Sequence, residues 1–320
     1  MLRIRTSLIV LSLSLGMQGA GAAGCGTKES SNTPNTNVVN VNTATRPTPR
    51  RVEEAVNDEV KILAGGAYGK VNDAFVAVVR DVETYAAVRE LINDLPQTDA
   101  DFFKKNIVVA AFLGQRRTGG YGVEIALAEN NRLRVSSTSP PAGSMTTQAL
   151  TAPFKVVSIP DLEHRSLTIE IGPAWNNETR PYRVSSGEFM TGGGFGGRIE
   201  RLQLAGDIRV SRLGKLATFI FDLKSSGGTK PRVLQNAATG IVGTDSSISG
   251  AVVDPGTLVD FPRSALAVKG SFAQNEDKLS LSFESLPSNV ADGFSGQGKL
   301  EAAATAPPPP KKPKSDDAPM

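Results

Sequence analysis

From about residue 164 to residue 303, apolar residues recur at every second position in one run after another. Leu167, Ile169 and Ile171 form one set, and Leu202, Leu204, Ile208 and Val210 another, with Arg201, Gln203, Asp207 and Arg209 opposite. Phe219, Phe221 and Leu223 continue the pattern, followed by Leu266, Val268 and Phe272. Leu279, Leu281 and Phe283 close it, against Lys278, Ser280, Ser282 and Glu284. A period of two places alternate residues on opposite faces of a strand, so each run is a strand with one dry face and one wet face. Gly-, Ser- or Pro-containing turns separate the runs. A chain of such strands buries its dry faces only against each other, which predicts an all-β antiparallel sandwich or barrel.

The stretch from 57 to 160 reads differently, as an α+β domain built on a β-sheet with one helix. Asp73 to Arg80 predicts a strand. A helix follows, its apolar positions Tyr85, Val88, Ile92 and Leu95 sharing one face, with Asp81 as N-cap and Pro96 as the stop. Ile107 to Leu113 is apolar without alternation, as expected of a strand buried on both faces. Val123, Ile125 and Leu127, a turn at Asn130-Asn131, then Leu133 and Val135 predict a hairpin, and Val156, Val157 and Ile159 close the unit.

Several of these residues carry a resemblance. Asp101-Phe102 precedes the buried strand, and Leu113-Gly114-Gln115-Arg116 with Thr118-Gly119-Gly120-Tyr121 leads into the hairpin. Pro140-Pro141-Ala142-Gly143 and Ala149 to Phe154 come before the last strand. This order, over residues 98–160, resembles the PrcB family, named for a lipoprotein subunit of a surface protease complex. The resemblance implies a domain that is not itself a protease and that helps a protease partner assemble or persist. Thr118, Gly119, Gly120 and Tyr121 are the candidate recognition loop. Adjacent glycines permit positive φ or close backbone approach, and Tyr121 offers a ring with a polar tip. The same residues also fit a tight turn with Tyr121 packed on the sheet.

The N-terminus reads as an export signal. Arg3 and Arg5 precede the apolar run Leu8 to Leu15, and small residues follow from Gly19 to Gly24. The run is too short for a membrane-spanning helix, which needs roughly 20 residues. Ala22-Ala23-Gly24-Cys25 resembles the lipobox of bacterial lipoproteins, in which the cysteine becomes the acylated first residue. Residues 1–24 are thus the expected signal peptide and Cys25 the expected lipidation site, an anchor made stable by more than one acyl chain. Cys25 is the only cysteine, so no disulfide or CxxC pair competes for it. Gly26 stands where lipoproteins retained at an inner membrane often carry Asp, which favours an outer membrane. Residues 25–56 are rich in Asn, Thr, Ser and Pro and read as a disordered tether, spanning roughly 30 Å as a flexible coil. Residues 304–320, with Pro307 to Pro310 and Lys311-Lys312-Pro313-Lys314, read as a solvated tail.

Enzymatic patterns are sparse. His164 is the only histidine, which excludes multi-histidine metal sites, and no GxSxG elbow accompanies it. Gly192 to Gly197 satisfies GxGxxG, but a strand pattern follows it rather than a helix, so a hairpin loop is the better reading. Asp99 and Asp101 have the spacing of calcium ligands without the remaining oxygens, and capping fits better. Trp175 beside Asn176 and Asn177 fits a sugar-stacking site less well than a buried anchor. With 35 basic against 32 acidic residues, and the basic clusters near the ends, no cationic face suits nucleic acid. The expectation is a non-enzymatic, cofactor-free lipoprotein of the cell envelope, outside the cytoplasm, that binds a protease or another envelope protein. The alternative is a lipid- or glycan-binding lipoprotein using the β-rich region.

Overall fold

The eight long strands of the second region close on themselves. In the computed structural model, β8 (Thr179–Gly193), β9 (Glu200–Leu213), β10 (Leu216–Ser226) and β11 (Val233–Val242) are followed by β12 (Ser247–Val253), β13 (Leu266–Phe272), β14 (Lys278–Ser285) and β15 (Phe294–Ala304). Each pairs antiparallel with its sequence neighbour, and β15 pairs with β8 to seal the barrel. The structure describes residues 60–128, 131–161, 168–193, 199–258, 265–273, 275–286 and 294–305, all within one compact unit, Arg51–Met320. Cys25, the tether up to residue 56, His164, residues 194–197 of the glycine run and the tail beyond Thr305 lie outside the described residues; β15 itself runs through Ala304, the first residue assigned to the tail.

The alternating sets fill the barrel. Leu202, Leu204, Phe219, Phe221, Leu223, Leu266, Val268, Leu279, Leu281 and Phe283 are buried in one interior cluster. The outer wall is charged: Arg183 pairs with Asp207, Lys269 with Glu284, and Ser280 Oγ donates to Glu301. An apolar inside and polar outside is the reverse of a membrane-spanning barrel, so this wall faces water. An eight-stranded lumen is just wide enough for side chains to fill. Here rings meet across it: Phe221 on β10 and Phe283 on β14, four places apart in the ring of eight, have centroids 5.9 Å apart. Phe219 stacks on Phe272 of β13 at 6.2 Å. Ion pairs sit at both mouths. Arg212 and Arg180 reach Glu276 at one, where Tyr182 donates to the Glu276 carbonyl at 2.8 Å. Arg232 reaches Glu200 at 2.6 Å and the Leu258 carbonyl at 3.0 Å at the other.

The first region is a two-sheet sandwich carrying two short helices. One sheet has the order β1 (Lys61–Gly66), β6 (Phe154–Pro160), β3 (Asn106–Phe112), β2 (Phe75–Val79). The other has the order β4 (Gly122–Ala128), β5 (Arg132–Thr138), β7 (Thr168–Ile171). Val76, Val78, Val109 and Val157 face Ile125, Leu127, Leu133 and Ile169 in a shared core. β3 is buried on both faces, as its apolar run requires. α1 (Val82–Arg89) is capped by Asp81, whose side chain accepts from the Thr84 amide, and it packs on the opposite face of the first sheet. The helix ends seven residues before Pro96. Leu91 and Ile92 switch to i→i−3 bonds, while Tyr85 and Arg89 hold the Pro96 and Leu95 carbonyls, so Ile92 and Leu95 stay buried without helical backbone. α2 (Ala100–Phe103) is capped by Asp99, whose side chain accepts from the Phe102 amide, and Asp101 pairs with Lys104 on the surface.

β7 departs from the reading of its alternation. It belongs to the sandwich, running parallel to β5, rather than to the all-β region. Alternation marks a strand but carries no information about which sheet receives it.

The sandwich and the barrel share one interface. Thr218 and Thr239 are cross-strand partners on β10 and β11 and are both fully buried. Thr239 Oγ1 accepts from the Val78 amide at 2.7 Å, and Thr218 Oγ1 donates to the Val76 carbonyl at 2.6 Å. The two hydroxyls lie 2.8 Å apart. With the second hydroxyl used as donor to the Val76 carbonyl, the proton between the two comes from Thr239. Two side chains on the barrel wall thus satisfy the outer edge of β2, where a further strand would otherwise be needed.

Beside this contact, the Arg80 side chain is 5 % exposed and pairs with Asp161 at 3.2 Å. Burial pushes Asp161 above the ordinary aspartate range, against the pull of Arg80 and aided by the charge of Asp254. Burial likewise raises Asp81, outweighing its hydrogen bonds to Thr84. A carboxyl with a raised folded-state pKa binds its proton more tightly than the unfolded chain does. Its stabilising share is therefore present at acid pH and is lost as pH rises through the folded value. Asp81→Asn keeps the capping oxygen and removes the charge. Its melting temperature relative to wild type should therefore climb as pH rises above the ordinary aspartate range and through the raised folded-state value. A difference independent of pH would contradict the assignment.

Candidate recognition surface

Three loops are laced together at one end of the first sheet. After β3, the Leu113 amide donates to the Pro153 carbonyl at 2.8 Å. Arg116 and Thr151 exchange backbone hydrogen bonds of 2.7 and 2.9 Å. Thr151 Oγ1 donates to the Thr118 carbonyl at 3.0 Å, and the Gly119 amide donates to the Thr147 carbonyl at 2.9 Å. The Ala152 amide reaches the Ala67 carbonyl, and the Ala152 carbonyl accepts from Gly69, both at 2.8 Å. Segments 67–69, 113–121 and 139–152 therefore form one connected surface.

The glycine pair is explained by this lacing. A Cβ on Gly119 would sit 2.3 Å from Thr147 Oγ1. Gly120 has φ +87° and lies against Pro140, which a Cβ would approach to 2.9 Å. Both glycines are needed because a second loop lies on top of them. Tyr121 is half-buried and packs against the core between the sheets, with the Arg116 guanidinium 5.9 Å from its ring centroid. That distance is at the outer limit of a cation–π contact.

Three of the five exposed large apolar side chains among the described residues lie on the neighbouring segments; the others are Ile62 on β1 and Ile199 before β9. Tyr68 is 75 % exposed, Leu150 61 % and Met145 fully exposed. Nothing in the sequence marks Met145, which sits in a polar stretch with no periodicity, and Leu150 enters only within the Ala149 to Phe154 stretch that carries the family resemblance. Residues 67–70, 113–121 and 139–153 contain Lys70, Arg116 and Arg117 and no carboxylate. Lys70 bonds Asn93 at 2.7 Å. Among the described residues neither Arg116 nor Arg117 forms an ion pair; the flanking acids are Asp73, beside Gly114, and Glu124 on β4. Trp175, the other aromatic of interest, is buried in the sandwich core and donates to the Phe112 carbonyl at 2.7 Å, so its ring is not presented to a sugar.

Residues 107–160, which run from β3 through β6 and include two of the three laced loops, match the family model for the PrcB C-terminal region. That match covers one segment of the chain, and no curated protein matches the chain. Among solved structures the chain is similar to two mutant forms of the vaccine antigen transferrin binding protein B from Haemophilus parasuis Hp5. The first is 10 % identical, with a TM-score of 0.28 over 63 % of this chain and 35 % of that one. The second is 10 % identical, with a TM-score of 0.29 over 76 % and 39 %. Intact Ap-TbpB is 12 % identical, with a TM-score of 0.27 over 76 % of this chain and 39 % of that one. This chain thus spans well under half the length of each. No helix among the described residues is long and apolar enough to cross a membrane.

Proposed function

We propose that this chain is an envelope lipoprotein, anchored through acylated Cys25, that acts without catalysis as a protein-binding module. The partner is a secreted protease complex of the kind the PrcB resemblance implies. The observation that carries the reading is the laced loop surface. Tyr68, Met145 and Leu150 stand exposed on backbone held by seven loop-to-loop hydrogen bonds, inside and beside the segment that matches the family model. Tyr and Met are enriched where partners dock, and clustered exposed apolar side chains mark interaction sites. The alternative, a lipid or glycan held in the barrel, finds less support because aromatic rings already meet across the lumen.

The test is capture from envelope extracts on the full chain and on a Tyr68→Ala/Leu150→Ala variant. One stoichiometric protein should be captured by the wild type and lost by the variant. The melting temperature should hardly move, since exposed side chains contribute within about 0.5 kcal/mol. Extraction of a small molecule instead, with no protein partner, would favour the alternative. In the same extracts Cys25→Ser should shift the protein out of the membrane fraction.

A further inference from the structure

The sandwich has two strands on the side away from the barrel, β1 and β4, each paired on one side only among the described residues. They differ in how their outer edges are protected. The β1 ladder carries a bulge between Ile62 and Ala64, and Lys61 opens the strand, both familiar means of blunting an edge. β4 has neither. Its seven residues keep an unbroken register with β5, from Gly122 opposite Thr138 to Ala128 opposite Arg132. It holds no proline and no cation, and its solvent-side residues are Glu124 and the small Ala126 and Ala128. An edge of about 23 Å that is regular, with Glu124 as its one charge, is a template for one more strand.

What precedes β4 defines the strand it would take. The loop entering it carries Arg116 and Arg117, which lack carboxylate partners among the described residues. Arg116 is held in place over Tyr121, and Arg117 is exposed. Resting on the loop surface as the recognition site, we infer that the bound segment of the partner is an extended, acidic one. It adds as a strand to the outer edge of β4, and its carboxylates meet Arg116 and Arg117. Strand addition draws affinity from backbone hydrogen bonds and specificity from flanking side chains. Here the specificity comes from charge at one end of the edge and from Tyr68, Met145 and Leu150 around it.

The probe is a phage-displayed library of random dodecapeptides selected on the immobilised full chain at physiological salt. Selected sequences should carry two or more Asp or Glu residues at one end. Synthesised, they should bind Arg117→Glu at least about tenfold more weakly than wild type, and a remote reversal, Lys299→Glu, equally well. Ala126→Pro should abolish binding. Because that variant can also perturb the sheet, each peptide amide is N-methylated in turn on the wild-type chain. Losses at every second amide mark strand pairing. Peptides without acidic enrichment, or N-methyl losses without a period of two, would overturn the strand-addition inference while leaving the module reading intact. Peptides indifferent both to Arg117→Glu and to Tyr68→Ala/Leu150→Ala would place recognition elsewhere and overturn both. Phosphatidylglycerol vesicles that bind the wild type but not Arg117→Glu, with no peptide selected, would assign the arginines to a lipid surface and overturn the inference.

Discussion

Trp175→Ala should cost about 3–5 kcal/mol of unfolding free energy, one of the two largest single-residue losses expected in this chain. Trp175 sits in a short 3-10 turn, Pro173–Glu178, between the last strand of the sandwich and the first of the barrel. Its ring is buried among residues of both sandwich sheets, and its Nε1 satisfies the Phe112 carbonyl at the end of β3. Truncation leaves a cavity and removes a buried hydrogen bond together. Trp175→Phe separates the two terms: it retains most of the apolar volume, so its loss should fall to about 0.5–1.5 kcal/mol, the net contribution of one hydrogen bond. Because Trp175 is the only tryptophan, the transition must be followed by far-ultraviolet circular dichroism. A loss under about 1 kcal/mol for the alanine variant would mean that the turn collapses into the space, contrary to the packing described.

Phe221→Ala should be comparably severe, again about 3–5 kcal/mol, for a different reason. Phe221 touches Phe219 on its own strand and Phe283 on the opposite wall. Its removal opens the middle of the lumen, which neighbouring strands cannot close because the ring of eight is fixed by its ladders. A dry, aromatic-lined cavity of that kind accepts small apolar solutes. Saturating benzene should therefore raise the melting temperature of Phe221→Ala and leave wild type unchanged. A response of the wild type would show that the lumen already has room, and would revive the ligand-binding alternative.

Much of the barrel was legible because alternation is a local property: Phe219, Phe221 and Leu223 declare their faces without reference to any partner. The hairpin of β4 and β5 and the doubly buried β3 were legible for the same reason. The partnership of β7 with β5 was not, since a four-residue strand carries the same signal in either sheet. β1, with two glycines in six residues, has almost no pattern to read. At the candidate site the Gly119-Gly120 pair announced a constraint, but its source, Thr147 and Pro140 on another loop, did not. Loop-to-loop contacts have no periodicity, so nothing marked Met145, and Leu150 entered only with the Ala149 to Phe154 stretch of the resemblance, its exposure unsignalled.

The Thr218–Thr239 contact has a consequence for where this chain can be cut. The segment that matches the family model begins at residue 107, after β2, and ends at residue 160, before β7 and Trp175. A fragment with those boundaries would leave β3 without its outer neighbour and the sandwich without its tryptophan. A fragment lengthened to include both would still present the naked rim of β2, which two barrel hydroxyls now occupy. Unlike the solvent-facing edges of β1 and β4, β2 is buried along its whole length, and its exposed apolar rim would be a template for pairing with other strands, its own copies included. The barrel is therefore the sandwich's guard against self-association as well as its neighbour, and the two regions are portable only together.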